Sequence, residues 1–190
     1  MAQAIPALDL ETPSRIAGWR NREVLAHLYP QPLLLDRFVA AATDETPHVD
    51  VAANLAGTAS FSNTVDSLAR QGADMGKVDL GITLARVLPR LESWDTDMTI
   101  TSVQGPISLV DYLVTRCVEA VVHGEDLVPP VDPDPVARSI TARALLDALA
   151  DSSPDLVVVA EGLKQDEWID VATGRATATG VLVPALPVMS

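Results

Sequence analysis

The chain has 190 residues, 48% of them hydrophobic, and it carries a formal net charge of −13 and a single cysteine. This length and hydrophobic content predict a globular protein with a core of its own and exclude a disordered chain. The negative charge repels phosphate backbones and anionic lipid, so we expect no nucleic-acid binding and no membrane-surface binding. One cysteine excludes an internal disulfide. Because neither a leader-like start nor a membrane-length apolar run is present, we predict a soluble, cytoplasmic protein.

Helical periodicity dominates most of the chain. Apolar residues recur at helical spacing, and proline, glycine or acidic residues interrupt them. Asn21 is the candidate N-cap of the first helix, which Pro30 and Pro32 end or kink near Tyr29. Ser108 opens the longest helix through a Ser-x-x-Asp capping box. The predicted helical segments are 19–28, 33–42, 60–72, 80–91, 108–127 and 136–150.

The last part of the chain, after a proline- and aspartate-rich linker at 131–135 and one more helix, has a different pattern. Runs of β-branched residues and short alternations of polar and apolar residues are typical of strands. In this part the sequence predicts extended segments at 156–160, 168–171 and 176–183, with a turn at Thr173-Gly174. A further extended segment, 97–103, and a turn at Gly105-Pro106 are predicted before the longest helix. We therefore predict a mainly α fold. An up-down helical bundle, residues 1–130, precedes a small α/β appendage, residues 131–190.

The longest predicted helix carries two residues that can bind metal. Glu119 and His123 are four residues apart, so they lie one above the other on one helix face. A further histidine, His27, lies on the first helix. Two neutral imidazoles and a carboxylate with one open position form the donor set of many catalytic metal sites. The three residues suggest a metal site between helices.

The same residues also have plainer interpretations, which the sequence alone leaves open. A stripe on this helix can be an ordinary solvated face; it comprises Tyr112, Arg116, Glu119, His123 and Asp126. Its narrowness favours a lined cavity instead. His27 can be a boundary residue of the core, and Glu23 offers it a competing Glu-x-x-x-His pair. We interpret His48 as a solvated loop histidine and Cys117 as a small hydrophobic residue, not a nucleophile.

Two motifs resemble those of a known family. The segment Trp19-x-x-x-x-Val24-Leu25-Ala26-His27-Leu28 resembles the first motif of the mycothiol-dependent maleylpyruvate isomerase N-terminal family, a branch of the DinB-like metal-binding helical bundles. The segment Arg116-x-x-Glu119-x-x-x-His123-x-x-Asp126-Leu127 resembles its second motif. The tail Trp168-x-Asp170-x-Ala172-Thr173-Gly174-Arg175 is similar to that of actinobacterial members.

The resemblance implies a four-helix bundle that carries a divalent metal, typically zinc. The matching ligands are His27, Glu119 and His123, and Asp126 matches an acidic residue that family members use in catalysis. The implied activity is thiol-dependent cis–trans isomerisation of maleylpyruvate, and related bundles are thiol transferases. We expect a zinc enzyme with mycothiol as its thiol co-substrate and a small electrophilic or carboxylate substrate, whose charge Arg116 neutralises. The alternative is a non-catalytic bundle that binds a small molecule or a partner, with its metal structural or lost.

Two features differ from the family pattern. Family members usually have a full helix before the Trp motif, and their first-motif helix usually continues where this chain has Pro30 and Pro32. The sequence thus predicts a bundle without a full first helix, which leaves an apolar groove. We expect a homodimer in which a second chain fills the groove. In the other version residues 1–10 fold back across it, anchored by Ile5, Leu8 and Leu10.

Overall fold

The computed structural model describes residues 8–188, which are mainly helical, with a two-stranded antiparallel sheet. The prediction of a mainly α fold is confirmed. The α-helices in chain order are α1 (Asn21–Leu28), α2 (Gln31–Ala40), α3 (Val51–Gly57), α4 (Ser62–Asp74), α5 (Leu80–Leu91), α6 (Leu109–Glu125), α7 (Pro135–Ser152), α8 (Val157–Glu161) and α9 (Gln165–Ala172). Within residues 8–188, no helix has the length and apolar character needed to cross a bilayer.

The N-cap of helix α1 lies one residue before the predicted cap, Asn21. Arg20 is the N-cap, and its backbone N–H donates to the Glu23 carboxylate at 2.8 Å, as in a capping box. The prediction of Asn21 as N-cap is wrong because its side chain reaches distant backbone groups instead. Pro30 separates α1 from α2, which starts earlier than predicted because Pro32 fits a first helical turn.

The sheet positions the start of α6. Strand β1 (Thr99–Ser102) pairs antiparallel with β2 (Gly105–Ser108), so the predicted extended segment is confirmed, while Gly105 and Pro106 lie in β2 and not in the turn. Ile100 and Ile107 are opposite each other and fully buried. Ser108 then caps α6 by accepting the backbone N–H of Asp111 at 3.0 Å, as predicted.

Helix α3 was not predicted. Its cap is Asp50, whose carboxylate accepts the backbone N–H of Ala53 at 2.8 Å. Leu55 is its fully buried anchor. The element is too short for a clear helical period, which explains why it was not predicted.

The strands predicted in the tail are wrong. Leu156 ends a 3₁₀ turn, Pro154–Leu156, and residues 157–160 form most of α8. Residues 168–171 lie inside α9. Residues 176–183 contain no strand and run into another 3₁₀ helix, Gly180–Ala185. Only the turn at Thr173-Gly174 is as predicted, with Gly174 at φ +73°.

Burial explains the helical tail. In α8 only Ala160 is buried, and Val158 is 77% exposed, so the β-branched run has no second strand to pack with. In α9 the buried residues Trp168, Ile169 and Ala172 share one helix face. The Trp168 indole N–H donates to the Ala142 carbonyl at 3.0 Å, which fixes α9 on α7. The appendage is therefore helical, not α/β.

Three apolar clusters form the core of the described residues, and two of them bear on the predictions. One contains residues from both sides of the predicted boundary at residue 130, such as Val118, Val122, Leu145 and Trp168. The division into two units stays a prediction. The other cluster surrounds α1 and α4, and Leu8 and Leu10 pack against it, as the fold-back version expects. Ile5 lies outside the described residues, and the homodimer stays a prediction.

Candidate metal centre

Helices α1 and α6 bring the three predicted ligands together. His27 lies near the end of α1, and Glu119 and His123 lie one turn apart on α6. The Glu119 Oε2 atom is 2.9 Å from His27 Nε2 and 3.4 Å from His123 Nε2. One ligand atom from each residue falls within a group no wider than 4.8 Å. Two helices far apart in sequence thus present two imidazoles and a carboxylate to one point.

The donor set fits a divalent transition metal such as zinc. Zinc–nitrogen bonds of about 2.0–2.1 Å place neighbouring tetrahedral ligands about 3.3 Å apart, close to the observed separations. Burial lowers the pKa of His27, which favours the neutral imidazole that binds metal. Burial by itself would raise the pKa of Glu119, but hydrogen bonds with His123 and His27 outweigh it and hold that pKa well below its usual range. The carboxylate is therefore ionised, as a ligand must be.

Asp126 holds the second nitrogen of His123. Its Oδ2 atom is 2.9 Å from His123 Nδ1, and the carboxylate is fully buried at the end of α6. An imidazole that donates from Nδ1 keeps its Nε2 lone pair for a metal, so this contact selects the required tautomer. Asp126, predicted to be catalytic, is thus placed to orient a ligand. Its catalytic role stays a prediction.

Arg175 completes the support of Asp126 from the tail of the chain. Its Nε and Nη2 atoms donate to the two Asp126 oxygens at 3.2 and 2.8 Å, and its Nη1 donates to the Thr173 carbonyl at 2.7 Å. Burial would raise the pKa of Asp126, but His123 and Arg175 outweigh it and the pKa is lowered. Arg175 belongs to the tail motif, but its role at Asp126 could not be predicted because no spacing rule links residues 49 positions apart.

Arg116 lies one turn before Glu119 on α6, at the edge of the centre. Its guanidinium lies 4.8 Å from the centre of the Tyr112 ring and donates to the Gln31 side chain at the start of α2. Its charge adds to the lowering of the pKa of His27 that burial causes. Arg116 is partly exposed. Its predicted role in substrate binding stays a prediction.

The remaining candidates lie apart from the centre. His48 is exposed in the loop before α3, as interpreted from the sequence. Glu23 accepts hydrogen bonds from Arg20 and Arg22 and is not part of the ligand group. Burial raises the pKa of the Cys117 thiol, which opposes a nucleophilic role.

The fold and this centre define a helical bundle with a candidate metal site between two of its helices. The model of one family, described as the mycothiol maleylpyruvate isomerase N-terminal domain, matches residues 1–128, and the chain belongs to this family. The matched segment includes all three candidate ligands and Asp126, whereas Arg175 lies beyond it. A search of curated proteins and a search of solved structures found no match to the chain.

Proposed function

We propose that the protein is a metal-dependent enzyme that uses a low-molecular-weight thiol, mycothiol, to isomerise a small unsaturated carboxylate or to transfer the thiol to a small electrophile. The observation that carries the proposal is the convergence of His27, Glu119 and His123 within 4.8 Å. Three protein ligands leave a fourth position open, as catalytic sites do. Family membership supports the choice of thiol.

The metal we propose is zinc. A bound divalent ion would supply positive charge that lowers the pKa of a thiol placed beside it, so that the thiolate is present at neutral pH. The residues that would hold it are His27, Glu119 and His123. Asp126 would keep the His123 proton on Nδ1, and Arg175 would keep Asp126 ionised and in place.

Arg116 supplies the contact that orients the substrate. Its charge is near enough to His27 to contribute to the lowered pKa of that imidazole. A planar guanidinium binds a carboxylate through two parallel hydrogen bonds. The Gln31 and Tyr112 contacts hold the side chain, which reduces the entropy lost when a carboxylate binds.

The isomerisation needs no oxidant. The thiolate adds to one carbon of the cis double bond, so that a carbon–sulfur bond forms as the π bond breaks and the electron pair moves onto the conjugated carbonyl group. Rotation about the resulting single bond follows. Expulsion of the thiolate restores the double bond in the trans form, and the thiol is returned unchanged. In the transferase version the adduct takes a proton and is released.

The test is an assay of zinc-loaded protein with mycothiol and maleylpyruvate. The absorbance change that accompanies the cis-to-trans conversion measures the rate. We expect activity that requires both metal and thiol and that His123→Ala abolishes. A protein that binds zinc but neither binds mycothiol, measured by calorimetry, nor converts maleylpyruvate would refute the enzyme and favour the non-catalytic bundle.

A further inference from the structure

The two histidines of the centre are held differently. His123 has Asp126 on its second nitrogen, whereas within residues 8–188 the only side-chain hydrogen bond of His27 is the one from Nε2 to Glu119. Histidine ligands usually donate their other N–H to a fixed acceptor, which sets the ring orientation. The orientation of the His27 ring therefore depends on the rings packed against it.

Two rings contact His27. The His123 imidazole lies edge-on to it, with ring centres 4.7 Å apart and an angle of 77°. The centre of the Trp19 ring lies 5.9 Å from that of His27, and the two ring planes are tilted by 53°. Since His123 is itself a candidate ligand, Trp19 is the ring that can fix His27 from outside the ligand group.

Helix α4 fixes Trp19 in turn. The indole is 8% exposed, and its Nε1–H donates to Asp66 Oδ1 at 2.7 Å. The Asp66 Oδ1 and Oδ2 atoms also accept from Arg70 Nε at 3.1 and 3.0 Å, so Arg70 and Trp19 together hold the carboxylate. Hydrogen bonds from Arg70 and Trp19 lower the pKa of Asp66, which keeps the carboxylate ionised and a strong acceptor.

We propose that Trp19 and Asp66 are positioning residues for His27, so that α4, which contributes no ligand, sets the geometry of the ligand on α1. Asp66 fixes the plane of the indole, and the indole fixes the plane of the imidazole. The inference deepens the proposed function because it needs His27 to be a metal ligand. The effect on the imidazole itself is independent of metal.

The first measurement is zinc affinity by competition with a chromogenic chelator, for Trp19→Phe and Asp66→Ala. Trp19→Phe keeps an aromatic ring and removes the N–H donor. Loss of a group bonded directly to a ligand weakens metal binding about 10–100-fold. Trp19 and Asp66 are one step further from the metal, so we expect each variant to weaken zinc binding less, by about 3–10-fold. The matched control is Asp74→Ala, an exposed aspartate on the same helix, which should bind zinc as the wild type does.

A double-variant cycle separates positioning from general loosening. Trp19→Phe/Asp66→Ala should bind zinc no more weakly than the worse single variant, because both changes break the same contact. In a His27→Ala background, neither change should reduce the residual affinity further. Additive losses in both backgrounds would contradict the proposal.

The second measurement needs no metal. In the metal-free protein, the imidazole C–H resonances of His27 should shift in both Trp19→Phe and Asp66→Ala, and those of His48 should not. Unchanged His27 resonances in both variants would overturn the proposal whether or not the protein binds zinc. A wild type that binds no zinc, with shifted His27 resonances, would refute the proposed function and leave the contact between Trp19 and His27 established.

Discussion

Asn21 and Val128 are joined by two hydrogen bonds across 107 positions of sequence. The Asn21 side chain donates to the Val128 carbonyl at 2.8 Å and accepts the Val128 N–H at 3.0 Å. The same amide donates to the Asp9 carbonyl at 2.8 Å, and the side chain is fully buried. The contact ties the start of α1, which carries His27, to the chain just after α6, which carries His123.

Asn21→Ala should therefore destabilise the protein. It removes three part-buried hydrogen bonds made by a fully buried side chain, which together cost about 2–4 kcal/mol. Urea unfolding followed by circular dichroism measures the change. Asn63→Ala, at an exposed position on α4, is the control and should change the free energy of unfolding by less than about 0.5 kcal/mol. Equal stability of the two variants would show that the Asn21 hydrogen bonds contribute nothing to the stability of the fold.

Metal stoichiometry tests the centre itself. The protein should bind about one divalent ion per chain, measured by elemental analysis after zinc reconstitution. His123→Ala should abolish binding, and His48→Ala should not. Because protons compete for the imidazoles, affinity should fall as the pH is lowered. Protein that stays free of metal after reconstitution would eliminate the site.

Arg175→Ala should weaken the centre from a distance. It leaves the fully buried Asp126 carboxylate without its cation, and breaking one half of a buried ion pair costs about 3–5 kcal/mol. Zinc affinity should fall too, about 10-fold, because Asp126 then orients His123 less firmly. Arg15→Ala, which removes a more exposed ion pair with Asp170, is the control and should leave zinc affinity unchanged.

Arg116→Ala should raise the KM for a carboxylate substrate and change zinc affinity much less, since Arg116 contacts Gln31 and Tyr112 and acts on His27 only through its charge. A lost charge-assisted contact of about 1.5–3 kcal/mol corresponds to roughly a 10–150-fold change. Arg116→Lys should recover only part of it, because an ammonium cannot form the bidentate pair. Steady-state kinetics measures the KM of each variant. Arg86→Ala, at an exposed position on α5, is the control and should keep the KM of the wild type. An unchanged KM would remove Arg116 from the site.

Asp66 gives a pH dependence with a definite sign. Its folded-state pKa is depressed, so its stabilising contribution is present above the unfolded value of about 3.9 and is lost as the pH falls through the folded pKa. The stability difference between the wild type and Asp66→Asn should therefore shrink below about pH 4. Urea unfolding over a pH series measures it. A difference that stays constant down to about pH 2 would contradict the lowered pKa.

The sequence was most informative where the structure is local. Glu119 and His123 share a helix face because of their spacing alone, and Ser108 caps α6 as its pattern predicts. The residue types suggested His27 as a third ligand, but no spacing rule relates α1 to α6, so the family resemblance was needed to support that grouping. The tail was misassigned because valine-rich segments favour strands only when a neighbouring strand covers them. Arg175 and Asn21 act through tertiary contacts that leave no local pattern.

The dependence of Asp126 on Arg175 has a consequence for the order of synthesis. All three candidate ligands leave the ribosome before the chain reaches Arg175, which follows Asp126 by 49 positions. While the tail is still inside the exit tunnel, the nascent bundle holds the imidazoles but lacks the cation that secures the acceptor of His123. Asp126 can gain this cation only after Arg175 has been synthesised and α9 has docked on α7.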